Sequence, residues 1–536
     1  MGATRFDEAV RRGLGPFVGR ERELEVLERG LGEARNHLHV IDVVAEPGIG
    51  KSRVLHEFRQ RIGKERAFVL SGSCSPDGQQ TPFLPFIDVV RGSFRFSAGE
   101  REKDVAQKLE VGLTALGLHS TRNLGLLLHP LGLKVPDGAL RGLDGVLIGL
   151  RTRELLVQLL EARCRLSPVV MVIEDLHWTD SVSEEVLGKI VASESKVRLL
   201  LLTTRRPEYV PAWLDRSLVT KLHLEPLPAG DVRHLVQARL GVEVLPEALA
   251  RQVTEKTEGN PLFAEEIASF LTERGILRAV AGKLEFDSSG AAVAMPASLQ
   301  SLLTVRVDRL APKDRALLQA ASVIGRRFDP ELLAFAVGET DAIDARLVAM
   351  QALDLVHLEG KSSDYLFKHA LVRGALYQSL LTEARSALHL KIAEEIERRS
   401  GNRLTEVAEV LAHHYRQTDR ADKAFAYLAM AGSKSLSVYS LDEAATHLIE
   451  GLALLDKNAD CASDDQVVEF LDSYALLTNL SRQVKVMINT LKRYLPRVDV
   501  SGMILRAFAS DIIMYSRSSS MLAIKKALPC SVKLRP

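Results

Sequence analysis

A short glycine-containing loop, between an apolar run and a predicted helix, constrains this chain more than any other feature. Residues 39–44 are apolar enough for a buried strand, and residues 54–62 are predicted to be helical. The loop between them is Ala45-Glu46-Pro47-Gly48-Ile49-Gly50-Lys51-Ser52. A strand, a glycine-containing loop, a lysine, a hydroxyl and a helix, in that order, are typical of a phosphate-binding loop. The alternative is a chance glycine turn before a helix.

The residue types in this loop fit phosphate chemistry. Gly48 and Gly50 can adopt backbone angles that are closed to other residues, so successive N–H groups can surround an anion at the helix N-terminus. We expect Lys51 to reach the β- and γ-phosphates and Ser52 to give its hydroxyl to Mg²⁺. The usual motif begins with glycine, whereas this loop begins with Ala45. Alanine is acceptable there if the backbone is strand-like.

Length, charge and cysteine content narrow the class of protein. The 536 residues suggest roughly three to four domains. A formal net charge of +1 gives no general attraction to nucleic acid or to an anionic membrane. The cysteines are far apart and form no CxxC pair, which argues against a disulfide framework or a zinc site and fits a reducing cytosol. They are Cys74, Cys164, Cys461 and Cys530. No signal peptide or membrane span is apparent, so we expect a soluble cytoplasmic protein.

The apolar runs predict an α/β domain followed by helical domains. Strands are predicted at residues 39–44, 67–71, 169–173 and 198–203, with a short one at 222–224. Because these strands alternate with helices, we expect a parallel sheet covered on both faces. A long, mostly helical insert is predicted over residues 75–165. Strand signals nearly vanish after about residue 226, and helices are predicted to dominate the rest of the chain.

Two acidic residues follow the predicted strand 169–173. Glu174 and Asp175 would lie at its C-terminal end, which is where ligands bind in parallel sheets. Glu174 is expected to hold Mg²⁺, directly or through water, and Asp175 to orient or activate the attacking water. Adjacent acids after a buried strand could instead cap a helix. The phosphate-binding loop upstream favours the nucleotide interpretation.

A basic pair follows the next predicted strand, at the end of Leu199-Leu200-Leu201-Leu202-Thr203-Thr204-Arg205-Arg206-Pro207. A basic residue there can sense the γ-phosphate and stabilise transition-state charge. The residues do not choose firmly between Arg205 and Arg206, and the Thr-x-Arg spacing favours Arg205. The alternative is a solvated arginine pair before Pro207.

Five motifs occur together in an order that resembles STAND-type signalling ATPases, which are AAA-related P-loop NTPases with a helical lid, a winged helix and superhelical repeats. They are Phe17-Val18-Gly19-Arg20-Glu21, the phosphate loop, Glu174-Asp175-Leu176-His177-Trp178, Thr203-Thr204-Arg205 and Gly259-Asn260-Pro261-Leu262-Phe263. The resemblance covers roughly residues 14–500. It is closest to the ATPase-plus-repeat portion of bacterial multidomain adenylate/guanylate cyclases.

The resemblance implies roles that the residues alone do not give. The segment Val18-Gly19-Arg20 resembles the one that meets the adenine, and Pro261 resembles the lid proline that packs on the base or ribose. His369 resembles the winged-helix histidine that contacts the β-phosphate of bound ADP, although a surface or capping histidine is the simpler interpretation. ATP rather than GTP rests on this resemblance. Because the chain starts near the point where cyclase domains end in such proteins, we expect no cyclase activity.

The expected domain order follows the same resemblance. It is a linker (1–16), a P-loop NTPase domain (17–225), a helical lid (226–290), a winged helix (291–395), tetratricopeptide-like repeats (396–500) and an irregular tail (501–536). The repeats are inferred from small and large apolar residues in helices such as 421–436 and 441–455, and a plain helical bundle is the alternative. The fold class is therefore a multidomain protein, α/β and then all-α.

These predictions describe an ATP-binding, slowly hydrolysing signalling switch, with ATP and Mg²⁺ as cofactors. Its repeats would bind a partner protein, nucleotide-dependent self-association would be compatible with this class, and no membrane or nucleic acid is expected as a partner. One alternative is a DNA-binding transcription regulator of the maltose-activator type, whose reader helices are not evident in residues 500–536. Another is a nucleotide-binding fragment of a longer cyclase.

Overall fold

The structure is a computed structural model. It describes residues 16–62, 67–96, 100–143, 145–193, 197–214, 218–273, 277–280, 283–286, 298–308, 310–339, 343–353, 355–358, 364–368, 370–481, 483–494 and 496–497. His369 and the predicted tail 501–536 lie outside these residues.

The first part of the chain contains a five-stranded parallel sheet. Its strands are β1 (His39–Val44), β2 (Phe68–Ser73), β3 (Val169–Glu174), β4 (Leu199–Arg205) and β5 (Val219–His223). They lie in the order β2-β3-β4-β1-β5, and every pair is parallel. All residues of β3 and β4 are buried, which explains their continuous apolar sequences.

Helices cover both faces of this sheet. They are α1 (Glu21–Glu33), α2 (Lys51–Ile62), α3 (Leu84–Phe94), α4 (Glu102–Ala115), α5 (Thr121–Leu128), α6 (Gly145–Leu166) and α7 (Ser181–Ala192). Alternate residues of β3 enter two different cores: Val170 and Val172 pack with α1 and α2, whereas Met171 and Ile173 pack with the insert α3–α6. The sheet is therefore covered on both sides, as the alternation of strands and helices predicts.

A helical unit follows the sheet. It consists of α8 (Ala229–Leu240), α9 (Glu247–Thr257) and α10 (Pro261–Glu273), and a hairpin of β6 (Leu277–Val280) and β7 (Lys283–Phe286) comes next. The sequence does not predict this hairpin, because each of its strands is only four residues long. The helices α8–α10 share one apolar core with the unit that follows them.

The next unit surrounds a small antiparallel sheet, in the region where the resemblance places a winged helix. Its elements are α11 (Leu299–Asp308), α12 (Pro312–Ile324), β8 (Arg327–Phe328), α13 (Pro330–Val337), α14 (Ile343–Ala352), β9 (Val356–Leu358), β10 (Tyr365–Phe367) and α15 (Ala370–Gln378). The sheet order is β8-β10-β9. The name winged helix and the domain boundaries stay predictions.

The last described part is helical. It contains α16 (Thr382–Ser400), α17 (Ala408–Tyr415), α18 (Ala421–Ser437), α19 (Leu441–Lys457), α20 (Asp464–Leu480) and α21 (Val484–Tyr494). Small residues allow close packing of neighbouring helices: a Cβ added at Gly432 would lie 2.6 Å from a Leu448 methyl carbon. We call α17–α21 the repeat region. The predicted fold class is confirmed: a parallel α/β sheet precedes a mostly helical region.

No helix in the described ranges is long and apolar enough to cross a membrane.

Candidate nucleotide-binding site

The loop between β1 and α2 has the backbone that a phosphate-binding loop needs. Gly48 and Gly50 have φ angles of +86° and +104°, which side chains disfavour. A Cβ at Gly48 would also lie 2.8 Å from the Asn260 side-chain oxygen. The Ala45 N–H donates to the Arg205 carbonyl at 3.3 Å, so Ala45 continues the strand. Alanine therefore fits at this position.

Lys51 lies over the loop. Its Nζ donates to the carbonyl oxygens of Ala45 at 2.6 Å and Glu46 at 3.2 Å. Burial lowers the pKa of Lys51, and the negative charge of Asp175 opposes that effect. The lysine and the second acid of the predicted pair are therefore close enough to interact electrostatically.

Glu174 lies beside the loop hydroxyl. Its Oε2 accepts a hydrogen bond from Ser52 Oγ at 2.9 Å, and its Oε1 is 2.8 Å from Arg59 Nη2. The structure thus brings together the two residues that the sequence assigns to Mg²⁺. Arg59 was not predicted, because it follows Lys51 by two helical turns and belongs to no motif.

The donor set suits Mg²⁺ in a nucleotide complex. Such sites take one or two protein oxygens and complete the shell with phosphate oxygens and water. Ser52 and Glu174 supply a hydroxyl and a carboxylate. Over the residues that the structure describes, no cluster of three or more His, Cys, Asp or Glu could hold a metal ion by itself.

Asp175 occupies a sharp turn after β3. Its φ is +57°, in the left-handed region that Asp tolerates better than most residues. Its backbone N–H donates to Thr204 Oγ1 at 2.9 Å, which ties the turn to the end of β4. Its charge raises the pKa values of both Lys51 and His177 against the effect of burial. Asp175 is therefore close enough to Lys51 and His177 for its charge to act on both.

Arg205 does not point toward the loop, contrary to the sequence-based preference. It is 3% exposed, and its Nε is 2.8 Å from Oδ2 of Asp42, which is fully buried in β1. Thr203 Oγ1 donates to the other oxygen of Asp42 at 2.8 Å. Arg205 Nη1 also donates to the Tyr209 carbonyl at 2.6 Å. Arg205 Nε and Nη1 are therefore engaged by Asp42 and by the chain after β4, and not by the loop.

The neighbouring Arg206 lies on the side of the site. Its guanidinium carbon is 5.8 Å from the centre of the Trp178 ring. Its positive charge contributes to the lowered pKa values of Lys51 and His177. Of the two arginines that the sequence leaves open, Arg206 is the one that the structure brings near Lys51 and Asp175.

The segment Val18-Gly19-Arg20 connects the loop to the start of the helical unit. Arg20 Nη2 donates to the Ile49 carbonyl at 3.3 Å and to the Glu225 carbonyl at 2.5 Å. Gly19 has a φ of +68°, and a Cβ there would come within 2.2 Å of an Asp231 carboxylate oxygen. Arg20 thus joins the loop to the segment of chain that leads into α8.

The helix α10 also contacts the loop. Asn260 Nδ2 donates to the Pro47 carbonyl at 3.1 Å, and its Oδ1 accepts from the Phe263 N–H at 3.2 Å. The Leu262 N–H is 3.4 Å from the Gly48 carbonyl. Pro261 is the first residue of this helix. The motif in the sequence predicts a role for Pro261 and none for Asn260, although a polar residue before a proline at a helix start signals a cap.

The small antiparallel sheet reaches α10 through Lys368. Lys368 Nζ lies 3.1 Å from Oε1 of Glu266, which is 1% exposed. This contact brings the end of β10 to the helix that touches the phosphate loop. The predicted role of His369, the next residue, stays a prediction because His369 lies outside the described residues.

Family models agree with this geometry. Residues 16–202 match the model of the AAA ATPase domain. The chain therefore contains an AAA ATPase domain. Residues 230–280 match a domain of unknown function. The predicted relationship to AAA-related P-loop ATPases is confirmed.

Two curated relatives are longer than this chain. An uncharacterised protein of Rhizobium meliloti is 27% identical over 469 residues, which are 85% of this chain and 44% of the relative. The peroxide stress-activated histidine kinase mak3 of Schizosaccharomyces pombe is 24% identical over 244 residues, covering 43% of this chain and 10% of the kinase. This chain thus spans less than half of each relative.

The solved structures that match this chain have low sequence identity and TM-scores below 0.5. A STAND protein with a tetratricopeptide repeat sensor from Pyrococcus horikoshii has a TM-score of 0.44 at 15% identity, covering 89% of this chain and 64% of the other. A single-substitution variant of RuvB from Thermotoga maritima has a TM-score of 0.26 at 13% identity, covering 68% of this chain and 97% of the other.

Proposed function

We propose that this AAA ATPase is a switch that binds ATP, hydrolyses it slowly and passes its nucleotide state to a partner protein. The observation that carries the proposal is the contact of the helical unit with the phosphate loop. Asn260 and Leu262 bind the carbonyls of Pro47 and Gly48, which belong to the loop that would surround the phosphates. A change in the bound phosphates therefore acts on the position of α10.

The residues of the site divide the work of hydrolysis. Lys51 and the loop N–H groups bind the phosphates, Ser52 and Glu174 hold Mg²⁺, and Asp175 orients the attacking water. Bound Mg²⁺ would neutralise phosphate charge. Adenine, rather than another base, rests on the resemblance of Val18-Gly19-Arg20 and Pro261 to known adenine contacts.

The positions of Arg205 and Arg206 are consistent with slow ATP hydrolysis. An arginine held against the transferred phosphate can accelerate phosphoryl transfer by about 10³–10⁵-fold. Arg205 is bound to Asp42 in the interior. Arg206 is about one third exposed and lies 3.9 Å from Glu208, so it is not fixed toward the loop. We propose Arg206, in place of Arg205, as the charge that senses the γ-phosphate.

The repeat region is the proposed partner-binding part. Several large apolar side chains on its helices are exposed, among them Val410, Ile449 and Leu476. We also propose that the helical unit acts as a lid, and that the winged-helix region with His369 acts as a switch. We propose the cytoplasm as the place where the protein works.

Nucleotide-dependent melting of the full chain tests the function. Ligand binding stabilises a protein by RT ln(1 + [L]/Kd), about 2.7 kcal/mol at a hundredfold excess over Kd. Wild type should melt at a higher temperature with MgATP, and Lys51→Ala should show no shift. Lys423→Ala is a matched control, since Lys423, on α18, pairs with Glu397 on α16. Equal shifts in wild type and Lys51→Ala would refute the assignment. A parallel measurement with MgGTP tests the base.

A further inference from the structure

The repeat region contacts the start of α7, the helix that follows the two acids of the nucleotide site. Glu443, on α19, accepts a hydrogen bond from the Ser181 backbone N–H through Oε1 at 2.8 Å. Its Oε2 accepts from Ser181 Oγ, also at 2.8 Å. Ser181 is the first residue of α7 and follows Asp175 by six positions. A carboxylate at a helix N-terminus is favourable, because it meets unpaired N–H groups and the positive end of the helix dipole.

The same helix start is held from inside the ATPase domain. Asp180 is the N-cap of α7, and its Oδ1 accepts from the N–H groups of Ser183 at 2.9 Å and Phe83 at 3.0 Å. Glu443 and Asp180 therefore fix neighbouring N–H groups of one helix turn. Glu443 is the contribution from a part of the chain 262 residues away.

Two further contacts seat the repeat region on the ATPase domain. A Cβ at Gly149, on α6, would lie 2.2 Å from the Val438 carbonyl, so the two backbones approach closely. Arg153, one turn further on α6, is 1% exposed and donates from Nη2 to the Tyr439 carbonyl at 3.0 Å. Its Nε is 2.9 Å from Glu185 of α7. These contacts place the loop between α18 and α19 against α6 and α7.

We propose that Glu443 is a positioning residue for ATP hydrolysis, acting through Ser181 on Asp175. This inference rests on the proposed function. Between the two residues the chain makes one short helical turn, Leu176–Trp178. Asp175 is tied at its own N–H to Thr204, and Ser181 is tied to Glu443. The acid is thus held from both ends of a short segment, and one of the two ties comes from the repeat region.

Glu443 can affect the rate because catalysis is sensitive to the position of the catalytic groups. Rates of positioned reactions fall steeply when a reacting group moves by as little as about 1 Å. Loss of the Glu443 tie lets the segment after Asp175 move, while Lys51 and Ser52 keep their own contacts. The effect should therefore appear in kcat and not in the affinity for MgATP. A partner that displaces α19 would reach the ATPase through this same contact.

The test compares three variants of the full chain. Glu443→Ala should lower kcat by roughly tenfold with an unchanged Kd for MgATP. Glu443→Gln, which keeps an acceptor oxygen, should recover part of that loss. Glu450→Ala is the matched control: it lies on the same helix and pairs with Arg416 at 2.6 Å, within the repeat region. Its kcat should equal that of wild type.

A variant of Ser181, in the ATPase domain, is a control for misfolding of the repeat region. Ser181→Ala removes one donor of the pair, and Ser181→Ala with Glu443→Ala should have the same kcat as Glu443→Ala alone. The inference is overturned if Glu443→Ala turns over like wild type, if it turns over faster, or if it matches Glu450→Ala. If wild-type protein fails to bind MgATP, the proposed function fails, and the role of Glu443 fails with it. MgATP binding without an effect of Glu443 rejects only the inference.

Discussion

The two halves of the nucleotide site are held in place in different ways. On the phosphate-loop side, Lys51 is bound by carbonyls five and six residues away, and the loop carbonyls also bind Arg20 and the start of α10. On the acid side, Asp175 is bound by Thr204 at the end of β4, and Ser181 is bound by Glu443. Among these contacts, a residue of the repeat region takes part only on the acid side.

This difference indicates which side of the site the repeat region can regulate. A loop that is held by its own residues and by α10 should bind nucleotide largely independently of the repeat region. An acid that is positioned by the repeat region can change its rate when that region moves. Binding and turnover are therefore expected to respond to different substitutions, and the following predictions test that separation.

The largest effect is expected on the free energy of unfolding, from substitution of Arg205, which pairs with Asp42 of β1. Removal of one member of a buried ion pair typically destabilises a protein by about 3–5 kcal/mol, because the other charge stays buried without compensation. Arg205→Ala leaves Asp42, which is fully buried, without its cation. Urea unfolding should show that loss of stability. Arg206→Ala is the control, and it should slow hydrolysis while unfolding like wild type; a reversed pattern would restore Arg205 as the sensor.

The second prediction separates the two acids. Asp175→Asn should keep ATP bound and slow its hydrolysis by about 100-fold, which is the low end for loss of a general base. Glu174→Gln should weaken Mg²⁺-dependent nucleotide binding, because a neutral amide is a poorer partner for a hard cation. Calorimetry and single-turnover hydrolysis measure the two quantities. If Asp175→Asn lost binding and Glu174→Gln lost only turnover, the two roles would have to be exchanged.

The sequence predicts the phosphate-loop side of the site better than the acid side. The loop is recognisable because its function depends on residues that are adjacent in the chain, so their order alone carries the signal. The strands β3 and β4 are equally clear, because burial on both faces demands unbroken apolar runs. No sequence pattern near Glu443 predicts its contact with Ser181, because the two residues meet only after α6 and α19 have packed together.

The choice between the two arginines fails for the same reason. Arg205 and Arg206 are adjacent, and the strand period of two points them to opposite sides. Which side carries Asp42 depends on the pairing of β1 with β4, which the sequence does not show. Short strands such as β8 are missed because two residues give no periodic pattern.

The third prediction concerns the pH dependence of the acid side. Burial raises the pKa of Asp180 to about 6, and the charge of Glu443 adds to the effect. Because the folded state then holds a proton that the unfolded state has released, stability should fall as pH rises from about 4 to about 6 and stay lower above that range. Asp180→Asn keeps an acceptor oxygen and cannot ionise. Its stability relative to wild type should therefore rise by about 2 kcal/mol between pH 4.5 and pH 7.5.

Urea unfolding at the two pH values measures that difference. Other carboxyl groups titrate in both proteins and cancel in the comparison. An unchanged difference between variant and wild type would mean that Asp180 is ionised at both pH values, and that the helix start of α7 accommodates the charge.

The smallest expected effect comes from moving the repeat region without touching an acid. Gly149→Ala adds a methyl group where the Val438 carbonyl lies 2.2 Å away, so the loop before α19 must shift. In a helix the same change usually stabilises by about 1 kcal/mol, which makes a loss informative. We expect kcat to fall up to tenfold with an unchanged Kd for MgATP, as for Glu443→Ala. Gly32→Ala, in α1 with open space around it, is the control and should show neither change. If Gly149→Ala instead weakened MgATP binding and left kcat intact, the phosphate loop would also depend on the docked repeats, and the contrast between the two halves of the site would be lost.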